Sequence, residues 1–360
     1  MKKGLQFGYL HAAAIGHLAL EADIAFIESQ SSPKVVVWIT TKEIANYQLL
    51  KLISRKLRVI TNPMLRALML PLVKLTRGGR FDGNSQVNDR TTFVQDTSPV
   101  SFPLPVAHME ILPQLLEEMN LDCTRKFICL VVRDELHSFK NVSQESAEIT
   151  QYRNSSINDY EGAIKYLIEQ GFNVVRMGRL AHKCRFTIDG FFDYANSDLK
   201  SDLNDLLLMA NCEFVISTLS GIDELATLYR KPVYLVNYLP VGSFRVSQLR
   251  PLILPKGLRD RQTGNLLSLS QIVEMGLWEA NATHTYESAN IEIVNCEPRT
   301  ITQFTSQVIG HFSSRFEDVE PFGSHLVSQF FCQASKVPKE LENKVPKISD
   351  LWLNYPNDEL

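Results

Sequence analysis

Short apolar runs of strand length, each followed by a stretch of helical periodicity, constrain this chain more than any other feature. Residues 35–40 (VVVWIT), 127–132 (FICLVV), 172–177, 213–217 (EFVIS) and 233–236 (VYLV) read as buried strands, and further strands are expected at 5–10 and 57–61. Between them, helices are expected at 18–29, 46–55, 110–119, 160–170, 201–211 and 222–229. Strands alternating with helices form parallel sheets covered by helices. The fold class is therefore α/β, as two Rossmann-like lobes with parallel sheets facing a central cleft. The alternation breaks at 77–105, a loop-like stretch of Gly, Asn, Asp, Ser, Thr and Pro, and restarts near Lys126. That places one domain at 1–125 and a second at 126–298. The remainder, 299–360, holds a helix at 300–312 expected to pack back toward the first lobe, then a tail.

Composition narrows the function classes. A chain of 360 residues, 44% hydrophobic and 21% charged, can bury one or two cores, with two domains as the natural expectation, and its net charge of -3 gives no general reason to expect nucleic-acid binding. No apolar run reaches the roughly 18 residues of a membrane span. The nearest, residues 65–75, is interrupted by Arg66, Pro71 and Lys74. The opening stretch runs into His17, Glu21 and Asp23 without a cleavage-like end, so a cytoplasmic protein is expected. Six cysteines, at 123, 129, 184, 212, 296 and 332, form no CxxC pair, which indicates neither a zinc site nor a disulfide framework.

The stretch 209–241 is a strand, a turn, a helix and a second strand, with Thr218-Leu219-Ser220-Gly221 as the turn. A hydroxyl-rich turn that feeds a helix start offers backbone N–H groups and the positive end of a helix dipole, so Ser217, Thr218, Ser220 and Gly221 suit a phosphate. The competing reading is that Ser220 only caps the helix, with Asp223 and Glu224 as acids suited to its first turn. Both stay open on the sequence.

Three stretches, FICLVVRDELHSF, QYRNSSINDYEGAIKYLIEQGFNVVRMGR and LLLMANCEFVISTLSGIDELATLYRKPVYLVN, together with IGHLALEAD near the start, resemble a family of bacterial glycosyltransferases associated with surface-polysaccharide biosynthesis. An arginine after the first strand of the second lobe, with a serine-rich strand-to-helix turn, is also distantly similar to the fucosyltransferase and heptosyltransferase pattern. The resemblance implies the two-lobed GT-B architecture, a nucleotide-diphosphate sugar as donor, and a glycan or lipid-linked saccharide as acceptor. It further implies work at the inner face of the membrane, with peripheral association there, no nucleic-acid partner and no metal or other cofactor.

Under that reading, departure of the nucleotide leaves negative charge on a phosphate, which cations and N–H groups must meet. Arg133 follows a strand directly, where ligands of open α/β sheets sit, and its guanidinium can hold two phosphate oxygens. Arg176 and Gly178 end the next strand in the same way. Arg153 lies in a polar knot, Tyr152 to Ser155, expected over the same cleft. Asp189 and Asp193 are weaker candidates for a sugar hydroxyl. On the first lobe His17 is the candidate base for the acceptor hydroxyl, with Glu21 one turn on to orient it and Asp23 as a lesser alternative. For Arg133 the plain reading is a surface pair with Asp134 or Glu135, and for His17 a capping or packing role. No DxD-like pair sits at a strand end, so a metal-independent reaction is expected. The rival functions are a sugar-nucleotide epimerase or hydrolase, a nucleotide-independent transferase, and a non-catalytic binding subunit.

Overall fold

In the computed structural model, which describes residues 5–31, 34–76, 98–136, 148–243, 252–314 and 347–349, the apolar runs form two parallel sheets. The first lobe runs β1 (Leu5–Leu10), α1 (Ile15–Ser31), β2 (Val35–Thr40), α2 (Tyr47–Ser54), β3 (Arg58–Ile60) and α3 (Pro63–Thr76), with strand order β1-β2-β3. Gly8 lets β1 pass close to Trp38 of β2, since a Cβ there would stand 2.4 Å from the indole ring. Asn46 caps α2 by accepting from Leu49 N at 2.8 Å, and the helix buries Leu49, Leu50, Leu52 and Ile53. The α3 helix had no counterpart among the expected elements; Pro71 inside it made the apolar run look broken.

Two short helices, α4 (Val106–Met109) and α5 (Leu112–Glu118), lead into the second lobe. There follow β4 (Phe127–Val131), α6 (Glu161–Glu169), β5 (Asn173–Met177), β6 (Phe191–Phe192), α7 (Asp202–Asn211), β7 (Val215–Ser217), α8 (Asp223–Leu228), β8 (Val233–Tyr238) and β9 (Leu252–Pro255). Next come β10 (Gly257–Asp260), α9 (Leu269–Glu274), α10 (Thr283–Ser288), β11 (Ile291–Val294), α11 (Pro298–Ser313) and β12 (Lys347–Ile348). The main sheet has the order β12-β9-β8-β7-β4-β5-β6, parallel throughout, while β10 and β11 pair antiparallel beside it. The chain builds outward from β4 to β5 and β6, then returns to lay β7 on the other side. A crevice opens where strand order reverses in this way, at the carboxyl ends of β4 and β7.

One expectation is corrected here. The helix expected at 300–312 is α11, and it lies on α6 and beside β8 and β9 rather than back on the first lobe. Its buried stripe of Ile301, Phe304, Thr305 and Val308 faces the second sheet. Gly162 of α6 permits the approach, because a Cβ there would meet Thr302 Oγ1 at 2.7 Å. What joins the lobes is α1 against α8. Gly16 sits so close to Gly221 that a Cβ on Gly16 would stand 2.7 Å from the Gly221 carbonyl oxygen. Farther along α1, the fully buried Asp23 receives Nη1 of Arg230 at 2.8 Å, Nη2 at 3.2 Å and the hydroxyl of Ser101. Asp202 adds a third tie, accepting from Tyr47 N at 2.6 Å while its carbonyl takes Asn46 Nδ2 at 2.9 Å. Arg245, Arg250, Pro251, Cys332, most of the 77–105 loop and nearly all of the tail lie outside the described residues.

Candidate functional site

Parallel pairing of β4 with β7 sets Val131 opposite Ser217, so the residues that leave both strands enter the crevice at one level. Arg133 N donates to Thr218 Oγ1 at 2.9 Å, and the Arg133 carbonyl accepts from Ser155 N at 2.8 Å. The knot Tyr152 to Ser155 is thereby drawn over the crevice, as expected from its position in the chain. Arg153 donates through Nη2 to the Leu219 carbonyl, and Arg133 Nη2 donates to Thr150 Oγ1 at 2.8 Å. Asn237 Nδ2 holds Ser155 Oγ at 2.7 Å from the end of β8.

A third cation, with no local sequence signal to mark it, joins these two. Lys256, between β9 and β10, is 1% exposed and donates to the Asn154 carbonyl at 2.6 Å. Burial lowers its pKa to about 7, with Cys296 pulling the other way and the charge of Arg133 adding to the fall. Arg133 is itself lowered to about 10, by burial first and then by the charge of Arg153. Cations that depress one another's ionisation are gathered at a cost in folding energy, which a bound anion would offset.

The turn after β7 differs from the phosphate cradle that its composition suggested. Asp223 Oδ2 accepts from Ser217 Oγ at 2.6 Å and from Ser220 N at 2.8 Å, while Leu219 N donates to Ser217 Oγ and Thr218 N to the Val131 carbonyl. Asp223 is 0% exposed and Glu224 2%. A carboxylate of the chain itself thus stands where the phosphate was expected, and the hydroxyls of Ser217 and Thr218 are engaged within the site's own frame. Capping, the competing reading, is not seen either: no side chain caps α8, and Asp223 braces the turn ahead of the helix. Gly221 is exposed, and its close neighbour is the Gly16 backbone.

Arg176 and Gly178 are likewise placed differently from expectation. Arg176 is fully buried, with Nη2 at 3.4 Å from Asp134 Oδ2 and Nη1 at 3.3 Å from Asp193 Oδ2 and 2.6 Å from the His182 carbonyl. Two carboxylates hold it inward, so it ties the loops after β4 and β5 together and leaves no open guanidinium at the edge. Asp134 therefore pairs with Arg176 and not with Arg133. Gly178, at φ +152, gives the chain a backbone turn as it leaves β5, and a Cβ there would stand 3.2 Å from Ala195 Cβ. Beside this frame lies a cleft of ≈ 530 Å³ whose lining includes Asp134, Asn154, Ser155, Asn158, His182 and Asn295. Asn154 Oδ1, buried, has no hydrogen-bond partner among the described residues.

On the first lobe, the β1–α1 turn carries a group that the sequence reading half found. Glu21 Oε1 lies 3.3 Å from His17 Nδ1, as expected, but only 2.7 Å from His11 Nδ1, and Glu21 Oε2 accepts from His11 N at 2.9 Å. Burial pushes the Glu21 carboxyl up, yet the hydrogen bonds from His17 and the His11 N–H together with the charge of His11 outweigh it and hold the pKa below its ordinary value. Both imidazoles are about half exposed or more, at 48% and 65%, and their rings are 5.7 Å apart. Asp23 is taken up by Arg230 and is no candidate base. His11 was overlooked because its partner is ten residues away, a spacing without helical or strand meaning.

No protein-family model matches the chain, and no curated protein matches it in sequence. Among solved structures it is similar to the ADP-heptose lipopolysaccharide heptosyltransferase II of E. coli, at 11% identity and a TM-score of 0.36, over 64% of this chain and 84% of that one. It is similar to a glycosyl transferase family 9 protein of Veillonella parvula, at 9% identity and 0.47, over 86% and 99%. It is also similar to a UDP-GlcNAc 2-epimerase of Neisseria meningitidis, at 12% and 0.32, over 87% and 100%. Likeness of this degree fixes neither a reaction nor a substrate.

Proposed function

We propose that this protein is a glycosyltransferase that moves a sugar from a nucleotide-diphosphate donor to a glycan or lipid-linked saccharide, in the synthesis of a bacterial surface polysaccharide. The observation that carries the reading is the gathering of Arg133, Arg153 and Lys256 at the crevice between β4 and β7, beside a cleft large enough for a nucleoside. In this reading the diphosphate lies across Arg133 and Arg153, and these side chains meet the charge that develops as the sugar leaves, in place of a metal. The nucleoside enters the cleft, where Asn154 Oδ1 offers an acceptor. From the abutting turn of the first lobe, His17 or His11 takes the proton of the attacking hydroxyl, and the Glu21 carboxylate steadies the imidazolium that results. Thr218 Oγ1 and the Leu219 carbonyl hold Arg133 and Arg153 in place, and Ser217 braces the turn that carries them.

Incubation with a set of nucleotide sugars, with and without saccharide acceptors and read by mass spectrometry, tests this. Sugar transfer to an acceptor supports it. An isomerised sugar or free nucleotide formed without acceptor points to an epimerase or a hydrolase on the same site, and failure to bind any nucleotide diphosphate refutes the reading.

A further inference from the structure

Lys256 is the single residue between β9 of the main sheet and β10 of the antiparallel pair, so its backbone is set from both sides. Its N–H extends the main sheet by donating to the Tyr238 carbonyl at 3.1 Å, and its side chain then runs into the interior, where Nζ reaches the Asn154 carbonyl at 2.6 Å. Asn237 reaches the next residue of the same knot. The pairing of β8 with β9 shifts register between Val236 and Tyr238, and Asn237, at φ +55, is re-aimed there: Nδ2 donates to Ser155 Oγ at 2.7 Å while Oδ1 accepts from Cys296 N at 2.9 Å. The Ser155 N–H lies on the Arg133 carbonyl at 2.8 Å. Asn154 and Ser155 are thus held by Lys256, Asn237 and Arg133, all of them buried.

What this hold serves is the side chain of Asn154. Asn154 lines the cleft together with Ser155 and Asn295, and its buried Oδ1 has no hydrogen-bond partner among the described residues. Lys256 is 1% exposed, so a molecule in the cleft meets Asn154 and not the ammonium behind it. Burial lowers the lysine's pKa to about 7, and the hold outlasts the charge, because a neutral amine still carries N–H to donate. An unmet buried acceptor calls for a donor, and leaving it unmet costs more than a typical hydrogen bond returns.

We propose that Lys256 is a positioning residue of the donor site: by fixing the Asn154 peptide from behind the cleft, it sets the Asn154 amide to accept from an N–H or O–H of the nucleoside. For the identity of the ligand this rests on the transferase reading, to which it adds a division of labour. Arg133 and Arg153 meet the phosphates, and Lys256 acts on the nucleoside through Asn154. An uncharged nucleoside cannot feel the charge of Lys256 to any great extent, but it does feel a displaced Asn154.

The test is binding of adenosine, guanosine, uridine, cytidine and thymidine to the full chain by ligand-observed NMR, with inorganic pyrophosphate as the second probe. At least one nucleoside should bind, and Asn154→Ala and Lys256→Met should each weaken it about fivefold or more. The double variant should bind it as Asn154→Ala does, to within about twofold, since Lys256 has nothing left to act through. Lys256→Gln, which keeps an N–H donor without the charge, should recover part of the loss. Asn154→Ala retains the carbonyl that Lys256 holds and should leave pyrophosphate affinity unchanged. The 2′- and 3′-deoxy forms of the nucleoside tell a ribose hydroxyl from a base N–H as the donor, and either source supports the inference. Losses that multiply in the double variant, or full nucleoside affinity in Lys256→Met, overturn it, and so does full affinity in Asn154→Ala whatever the lysine variants do. If pyrophosphate binds and no nucleoside does, this inference alone falls; if neither binds, the transferase reading falls with it.

Discussion

Arg230→Ala should weaken the whole molecule by severing the buried tie between the lobes. Arg230 places two nitrogens on Asp23, at 2.8 and 3.2 Å, and also donates to the carbonyls of Ser98, Pro99, Thr227 and Leu228. Asp23 is 0% exposed, so the alanine variant leaves its carboxylate in the interior with the Ser101 hydroxyl but without the guanidinium. Stranding one half of a buried pair costs about 3–5 kcal/mol, and most of that is desolvation of the remaining charge. Removing both halves should therefore cost less than the sum of the single losses. The assay is equilibrium urea denaturation of Arg230→Ala, Asp23→Ala and the double variant, giving a coupling free energy expected to exceed about 1.5 kcal/mol. Trp38 in the first lobe and Trp278 in the second, at 3% and 5% exposure, report on each side by fluorescence. A loss below about 1 kcal/mol in Arg230→Ala, or additivity to within about 0.5 kcal/mol, would refute the claim that this pair fastens the lobes.

Arg133→Ala should weaken binding of nucleotide diphosphates roughly ten- to a hundredfold in calorimetry, the worth of a charge-assisted contact of about 1.5–3 kcal/mol, and unchanged affinity would remove the phosphate from the crevice. Lys256 has a folded pKa near 7 against an ordinary 10.5, so the folded state binds fewer protons than the unfolded chain between those values and stability rises with pH across that window. Lys256→Met should flatten that rise, and in the unmodified protein diphosphate binding near pH 8 should take up protons, seen as a binding enthalpy that changes with the buffer's heat of ionisation. Glu21→Gln should spare nucleotide affinity and lower turnover, with His11→Ala and His17→Ala showing by their relative losses which imidazole takes the proton. Gly16→Ala should cost about 1–3 kcal/mol in urea denaturation despite the helix-propensity gain, because its Cβ would press on the Gly221 carbonyl, whereas Gly221→Ala, whose Cβ would lie 3.5 Å from Gly16 N, should cost little.

Strands β1 to β5, β7 and β8 could be read because a buried strand is a local signal, and FICLVV and VYLV needed no neighbours to be recognised. Arg133 could also be read, since its place directly after a strand puts it at the sheet's carboxyl edge in any parallel fold. Arg176 follows its strand's pattern equally well, yet acids 42 and 17 residues away in sequence draw it inward, and no spacing rule encodes such a pairing. Lys256 sits in a Pro-Lys-Gly context that looks like a solvated turn. Pairing of β9 against β8, across a segment rich in arginine and proline where no strand was expected, is what buries it. The acids of the Ser217–Gly221 turn were visible, but whether one of them folds back onto the turn depends on a side-chain torsion that a sequence does not show.

That folded-back carboxylate has a further consequence. With Asp223 bracing the turn from within, the Ser217 hydroxyl and the Ser220 N–H are no longer available to a guest. Under the proposed function, recognition of negative charge would pass to side chains on jointed stems, which can follow a phosphate through small displacements as bonds break. Such a site would trade the rigidity of a backbone nest for reach, and it should feel ionic strength more keenly than a glycine-loop binder of the same ligand would.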